Sequence, residues 1–141
     1  MKQLFKTLTK FLKLFTGFYI FIYCFPFPMS YIPYGYEYFS KYAEAIKAEI
    51  TLLFGREILG FSDLKYTAMN GSGDTTVDYI ALLSYASIAF FIALLLWFFV
   101  RKNEGESKFY NGMIIYARYF VGLTLISYGV VKFLQGQFPS T

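Results

Sequence analysis

Arg118 and Lys132 are the residues whose placement asks for a chemical reason, because both lie in an otherwise apolar stretch from Tyr110 to Leu134. A cation near the centre of a bilayer costs at least about 2.5 kcal/mol. At about 100° per residue, Gly122, Gly129 and Lys132 fall within roughly 40° of Arg118, so the four share one stripe of a helix. Gly136 continues it, and Gly122, Gly129 and Gly136 recur at heptad spacing, where small residues let a second helix approach closely. Facing a bundle interior, the stripe could bind an anionic group, a quinone carbonyl or a carboxylate on a partner helix. With Arg118 near the cytoplasmic interface and Lys132 near the outer one, both would instead snorkel to headgroups. A pairing carboxylate must come from Asp74, Asp78, another subunit or a further part of the chain, because the other two apolar stretches carry no acid.

The remaining inventory excludes most catalytic chemistry. The chain has no histidine and a single cysteine, Cys24, so zinc hydrolase chemistry, a Ser-His-Asp triad and a Cys-x-x-Cys redox pair lack their parts. No catalytic residue, no metal ligand and no resident cofactor is assigned, and the chain by itself reads as a non-enzyme. The run Asn70-Gly71-Ser72-Gly73-Asp74 reads as turns; a loop exposing backbone donors with Asp74 as a cation ligand is the alternative.

The elements that must position the stripe are helices in lipid. Apolar residues make up 57% of the chain and aromatic residues 23%, with 16% charged, which is greasier than a soluble domain needs. The expectation is an all-α membrane protein with about three transmembrane helices and an extracytoplasmic amphipathic helix, forming a partial helical bundle. Lys2, Lys6, Lys10 and Lys13 precede the uncharged stretch Leu14–Tyr36, which predicts an uncleaved first span at about residues 12–34, ended by Pro26, Pro28 and Pro33. Residues 78–100 form the clearest span, with Thr75 and Asp78 in a capping-box pattern at its start and Arg101 and Lys102 as its stop. Between them, in the link 35–77, Phe39, Tyr42, Ala43, Ile46, Ile50, Leu53 and Phe54 recur at helical spacing. Glu37, Lys41, Glu44, Lys47 and Arg56 lie mostly elsewhere on that helix. Its apolar stripe could rest on the membrane or on the other helices.

Basic residues predict the orientation. The N-terminal lysines and Arg101, Lys102 and Lys108 fall on one side after two crossings, the cytoplasmic one. The link 35–77 and the C-terminus are then extracytoplasmic, in a multi-pass protein of the cell membrane. The formal charge of +4 reflects lysines beside apolar runs, so the expected partners are the lipid bilayer and other membrane helices or subunits, not nucleic acid.

The stretch Arg118-Tyr-Phe-Val-Gly122-Leu-Thr-Leu-Ile-Ser-Tyr-Gly129-Val-Val-Lys132, an Arg-x3-Gly-x6-Gly-x2-Lys pattern, resembles the first-helix motif of the DoxX-like membrane family. The resemblance implies a four-helix membrane bundle beginning at residues 109–141, preceded by an N-terminal membrane region at 1–108. Because the motif normally opens the bundle, it also implies that further helices complete it and that this chain is a segment of a longer protein. Some members are linked to thiosulfate and quinone oxidoreduction or to membrane complexes handling oxidative stress. The implied function is thus a subunit or scaffold of a membrane complex. A quinone-linked, thiosulfate-type oxidoreductase component is the alternative, and a transporter subunit the third reading, disfavoured because the first two spans offer few intramembrane polar residues.

Overall fold

A computed structural model describes residues 2–32, 34, 36–66, 75–99 and 105–134. Their ordered elements are all helical: α1 (Lys2–Cys24), α2 (Lys41–Leu53), α3 (Thr76–Phe99) and α4 (Gly105–Leu134). A short 3₁₀ turn at Met29–Tyr31 follows α1, and wide π-helical turns at Tyr36–Ser40 and Phe54–Ile58 flank α2. Three helical stretches, Phe5–Tyr31, Thr76–Phe98 and Gly105–Leu134, are long and apolar enough to cross a membrane. The chain is an all-α membrane protein.

The helix ends differ from the expected spans for local reasons. Nothing between Lys2 and Lys13 breaks a helix, so α1 starts at Lys2 rather than near residue 12 and includes Lys6, Lys10 and Lys13 within its length. It stops at Cys24, short of residue 34, because Pro26 and Pro28 have no N–H to give to the preceding turn. At α3 the capping box forms as expected. The Thr75 amide and hydroxyl donate to the Asp78 carboxylate at 3.1 and 2.6 Å, and the Asp78 amide donates back to the Thr75 hydroxyl at 3.3 Å. The helix of residues 109–134 begins earlier, at Gly105, with Glu106 in the first turn where an acid suits the helix dipole. The 70–74 loop, Arg101, Lys102 and Gly136 lie outside the described residues.

Helix α1 lies between α3 and α4, which do not touch each other among the described residues. It runs antiparallel to α3, where Phe11 meets Phe90 edge to face at 5.4 Å. It runs parallel to α4, with Phe18 on Phe109 at 4.7 Å and, further along both helices, Tyr23 on Phe120 at 6.4 Å. Helices α3 and α4 therefore both pack along α1. Small residues are buried along α3, where Ala81, Ser84, Ala89 and Ala93 let the neighbouring helices come close. The ends of α1 and α4 that meet are the basic ones: Lys10 pairs with Glu106 at 3.7 Å and Lys13 donates to the Ser107 hydroxyl at 2.8 Å. This common end is the one to which the distribution of lysines assigns a single side of the membrane.

The amphipathic helix is present, but only part of its apolar stripe packs. Ala43 and Thr51 are buried and Lys47 is half-buried, while Phe39, Tyr42, Ile46 and Leu53 are 50 to 68% exposed. Glycine decides how near the following turn can come to α3: a Cβ at Gly55 would lie 2.5 Å from Leu64 and 3.4 Å from Ile80.

Candidate functional site

The Arg118 stripe stays on one face of α4, and that face is open. Helix α4 meets α1 through Glu106, Phe109, Tyr116 and Phe120. At about 100° per residue, Arg118, Gly122, Gly129 and Lys132 lie roughly 170° round the helix from that contact face. Arg118, Gly129 and Lys132 are exposed, and a Cβ added at Gly122 or Gly129 would meet nothing within 4 Å. The Lys132 ammonium rests 4.6 Å from the centre of its own helix's Tyr128 ring, a cation–π contact. Asp78 is committed to the cap of α3. Arg118 does not lie near the Lys10–Glu106 end: it is about 18 Å along the helix from Glu106. Its neighbour Phe120 packs on Tyr23 and Phe27, where α1 ends. Every residue from Leu123 to Leu134 is exposed, so the second half of α4 has no neighbour among the described residues.

A second cation is the one the fold does bury. The prolines after α1 leave its last carbonyls short of donors. The Phe27 amide turns to the Cys24 oxygen and the Met29 amide to the Pro26 oxygen, which orphans the Tyr23 and Phe25 oxygens. Lys47, reaching over from α2, donates to both, at 3.0 Å to Tyr23 and 2.5 Å to Phe25. The next orphan, the Phe27 oxygen, accepts from the Tyr116 hydroxyl of α4. The Lys47 ammonium also stands 5.5 Å from the centre of the Tyr85 ring of α3. Burial lowers the Lys47 pKa from its ordinary value, and the nearby Cys24 and Glu44 oppose that shift. Thr51, fully buried one turn on, donates to the Lys47 carbonyl at 2.7 Å. Lys47 thus ties α1, α2 and α3 together, and what the arrangement offers is a positive charge on the negative end of a helix rather than a nucleophile or base.

The spacing alone places Lys47 among the charges that lie mostly off the apolar stripe of α2. The signal it passed over is the pair of small residues a turn away on either side, Ala43 and Thr51, which marks a packed face.

An apolar crevice of about 430 Å³ lies between α1 and α3, lined by Thr7, Leu8, Phe11, Phe90, Leu94 and Trp97. It holds neither Arg118 nor Lys132. Among the described residues no group of three or more His, Cys, Asp or Glu side chains is placed to hold a metal. No protein-family model, curated protein or solved structure matches the chain.

Proposed function

We propose that the chain is a subunit or scaffold of a membrane complex, and that α4 is its assembly helix. The observation that carries this reading is the open face of α4, where two glycines lie in line between two cations and no part of the described chain covers them. In lipid, close helix–helix packing and an ionic partner are what such a face gains from association. A second copy in the same orientation would set Arg118 against Arg118, so the fitting partner is a helix with small residues and a carboxylate at Arg118 depth. The Arg-x3-Gly-x6-Gly-x2-Lys pattern is similar to the DoxX-like motif, and a bundle completed by further helices is what that likeness implies. Arg118→Leu is expected to abolish a larger complex seen on native gels of gently solubilised membranes, and Arg118→Lys to retain part of it. An unchanged complex and phenotype in the Leu variant would remove the reading.

A quinone-linked role rests on the same resemblance, and what supports it is an α1–α3 crevice of a volume that would suit a small-molecule ring. Solvent extraction of the purified protein is expected to yield bound quinone; its absence, together with no thiosulfate-dependent quinone reduction, would leave the scaffold reading alone.

A further inference from the structure

Helix α2 presents three faces, and among the described residues one of them carries its packing on the rest of the protein. At about 100° per residue, the packed residues Ala43, Lys47 and Thr51 centre on one direction, and Tyr42, Ile46 and Leu53 lie within roughly 40° of one another about 120° away. Lys41 lies in a third direction, about 120° from the packed centre, with Glu44 between it and Thr51. A helix that docks only on its neighbours would turn its large apolar side chains inward; here small and polar residues do the packing. Tyr42, Ile46 and Leu53 are 68, 57 and 58% exposed, continued by Phe39 in the preceding turn, with Glu49 at the border.

The surroundings name the medium. Helix α2 is held at the end of the bundle where α1 stops and α3 starts, by Lys47 on the Tyr23 and Phe25 carbonyls and by Gly55 against Ile80. At that same end Tyr31, Tyr34, Tyr38 and Tyr79 are all exposed, and tyrosine is a ring that settles at headgroup depth. The polar face carries both signs, Glu37 and Glu44 around Lys41, unlike the lysine-rich start of α1. Mixed charge complements a zwitterionic headgroup layer better than an anionic one.

We infer that α2 is an interfacial anchor: its Phe39–Tyr42–Ile46–Leu53 stripe lies in the lipid of the leaflet at the α1–α3 turn, with Glu37, Lys41 and Glu44 toward water. The inference requires that the three long helices span the membrane, and it is independent of any partner for α4.

The test uses the full chain in phosphatidylcholine vesicles. Trp97, the one native tryptophan, is changed to Phe, and a single new tryptophan is read in Tyr42→Trp, Ile46→Trp or Lys41→Trp. The first two are expected to emit at short wavelength and to lose at least half their emission to lipids brominated high on the acyl chain, with little change when anionic lipid is added. Lys41→Trp is expected to respond to aqueous iodide instead. Iodide quenching at positions 42 and 46 would overturn the inference by placing the stripe in water. Short-wavelength emission that neither quencher reaches would overturn it by placing protein over the stripe. Two stripe positions are read so that local damage from one substitution shows as disagreement, and protease resistance of each variant matching that of the parent establishes that α2 is in place.

Discussion

The Lys47 ammonium on α2 lies 3.0 Å from the Tyr23 carbonyl oxygen of α1, closing a loop of 24 residues through a bond that the prolines make necessary. Without Pro26 and Pro28 the α1 carbonyls would be satisfied within the helix, and α2 would have no polar reason to be where it is. The position of α2 thus follows from the way α1 ends.

Removing the cation should therefore loosen two elements at once. Lys47→Met leaves the Tyr23 and Phe25 oxygens without their donor, at an expected cost of about 1–3 kcal/mol. Lys47→Arg, which keeps the charge and the donors, should lose less. Thermal unfolding in detergent gives the stability change, and hydrogen exchange should quicken in α2 and at residues 29–32 while the first half of α4 stays protected. Exchange unaltered in α2 would mean that the helix is held by its apolar contacts alone.

The same residue predicts a pH dependence. Burial, the largest influence, lowers the Lys47 pKa below its ordinary 10.5. The unfolded chain then binds the Lys47 proton more tightly than the folded chain does. Folded stability accordingly rises with pH between the lowered value and about 10.5. Tyrosines titrate in the same range, so the quantity to follow is the difference in unfolding free energy between the native protein and Lys47→Met. It is expected to grow as pH rises toward 10.5. A difference that shrinks would show that the folded state favours the charged amine.

Parallel packing of α1 and α4 rests at one end on Lys10 and Glu106, whose side chains are only 16 and 17% exposed. Glu106→Lys sets like charges together at that point and should cost about 3–5 kcal/mol, the range for removing one partner of a largely desolvated pair. Adding Lys10→Glu should recover much of it, since the pair is then restored with its signs exchanged. Equal stability of the single and the double variant would show that the contact contributes little.

How much of this was legible in the residues divides along physical lines. The three long apolar helices and the Thr75–Asp78 cap follow from composition and from interactions within four residues, and both were readable. The early start of α1 is hidden because lysines beside an apolar run read as flanks, although they are good helix formers and recur at spacings that put them on one side of a helix. The outward turn of Phe39, Tyr42, Ile46 and Leu53 was not readable from periodicity alone, because an amphipathic pattern shows that a helix has two sides without saying what covers each. Lys47 was hidden for a related reason: its partners are backbone carbonyls more than twenty residues away, freed by prolines, and a carbonyl has no letter in the sequence. The Arg118 stripe was found by spacing, and its outward direction became clear only once Phe109, Tyr116 and Phe120 were seen to face α1.

A last prediction concerns the closest approach of α1 and α4. Gly17 is buried, and a Cβ added there would lie 2.5 Å from Cε1 and 3.1 Å from Cδ1 of Phe109, whose ring already rests on Phe18. Gly17→Ala forces that ring aside, and because the obstacle is a side chain rather than backbone the cost should stay within about 1–3 kcal/mol. Phe109→Leu alone loses the aromatic contact with Phe18. In the double variant the smaller side chain makes room for the new methyl group, so the two costs should fall short of their sum by about 0.5–3 kcal/mol, the range found for residues in direct contact. Unfolding of all four proteins under one detergent condition measures the coupling. Strict additivity would mean that Gly17 and Phe109 do not touch, and that the α1–α4 register described by Phe18, Tyr23 and Phe120 is displaced.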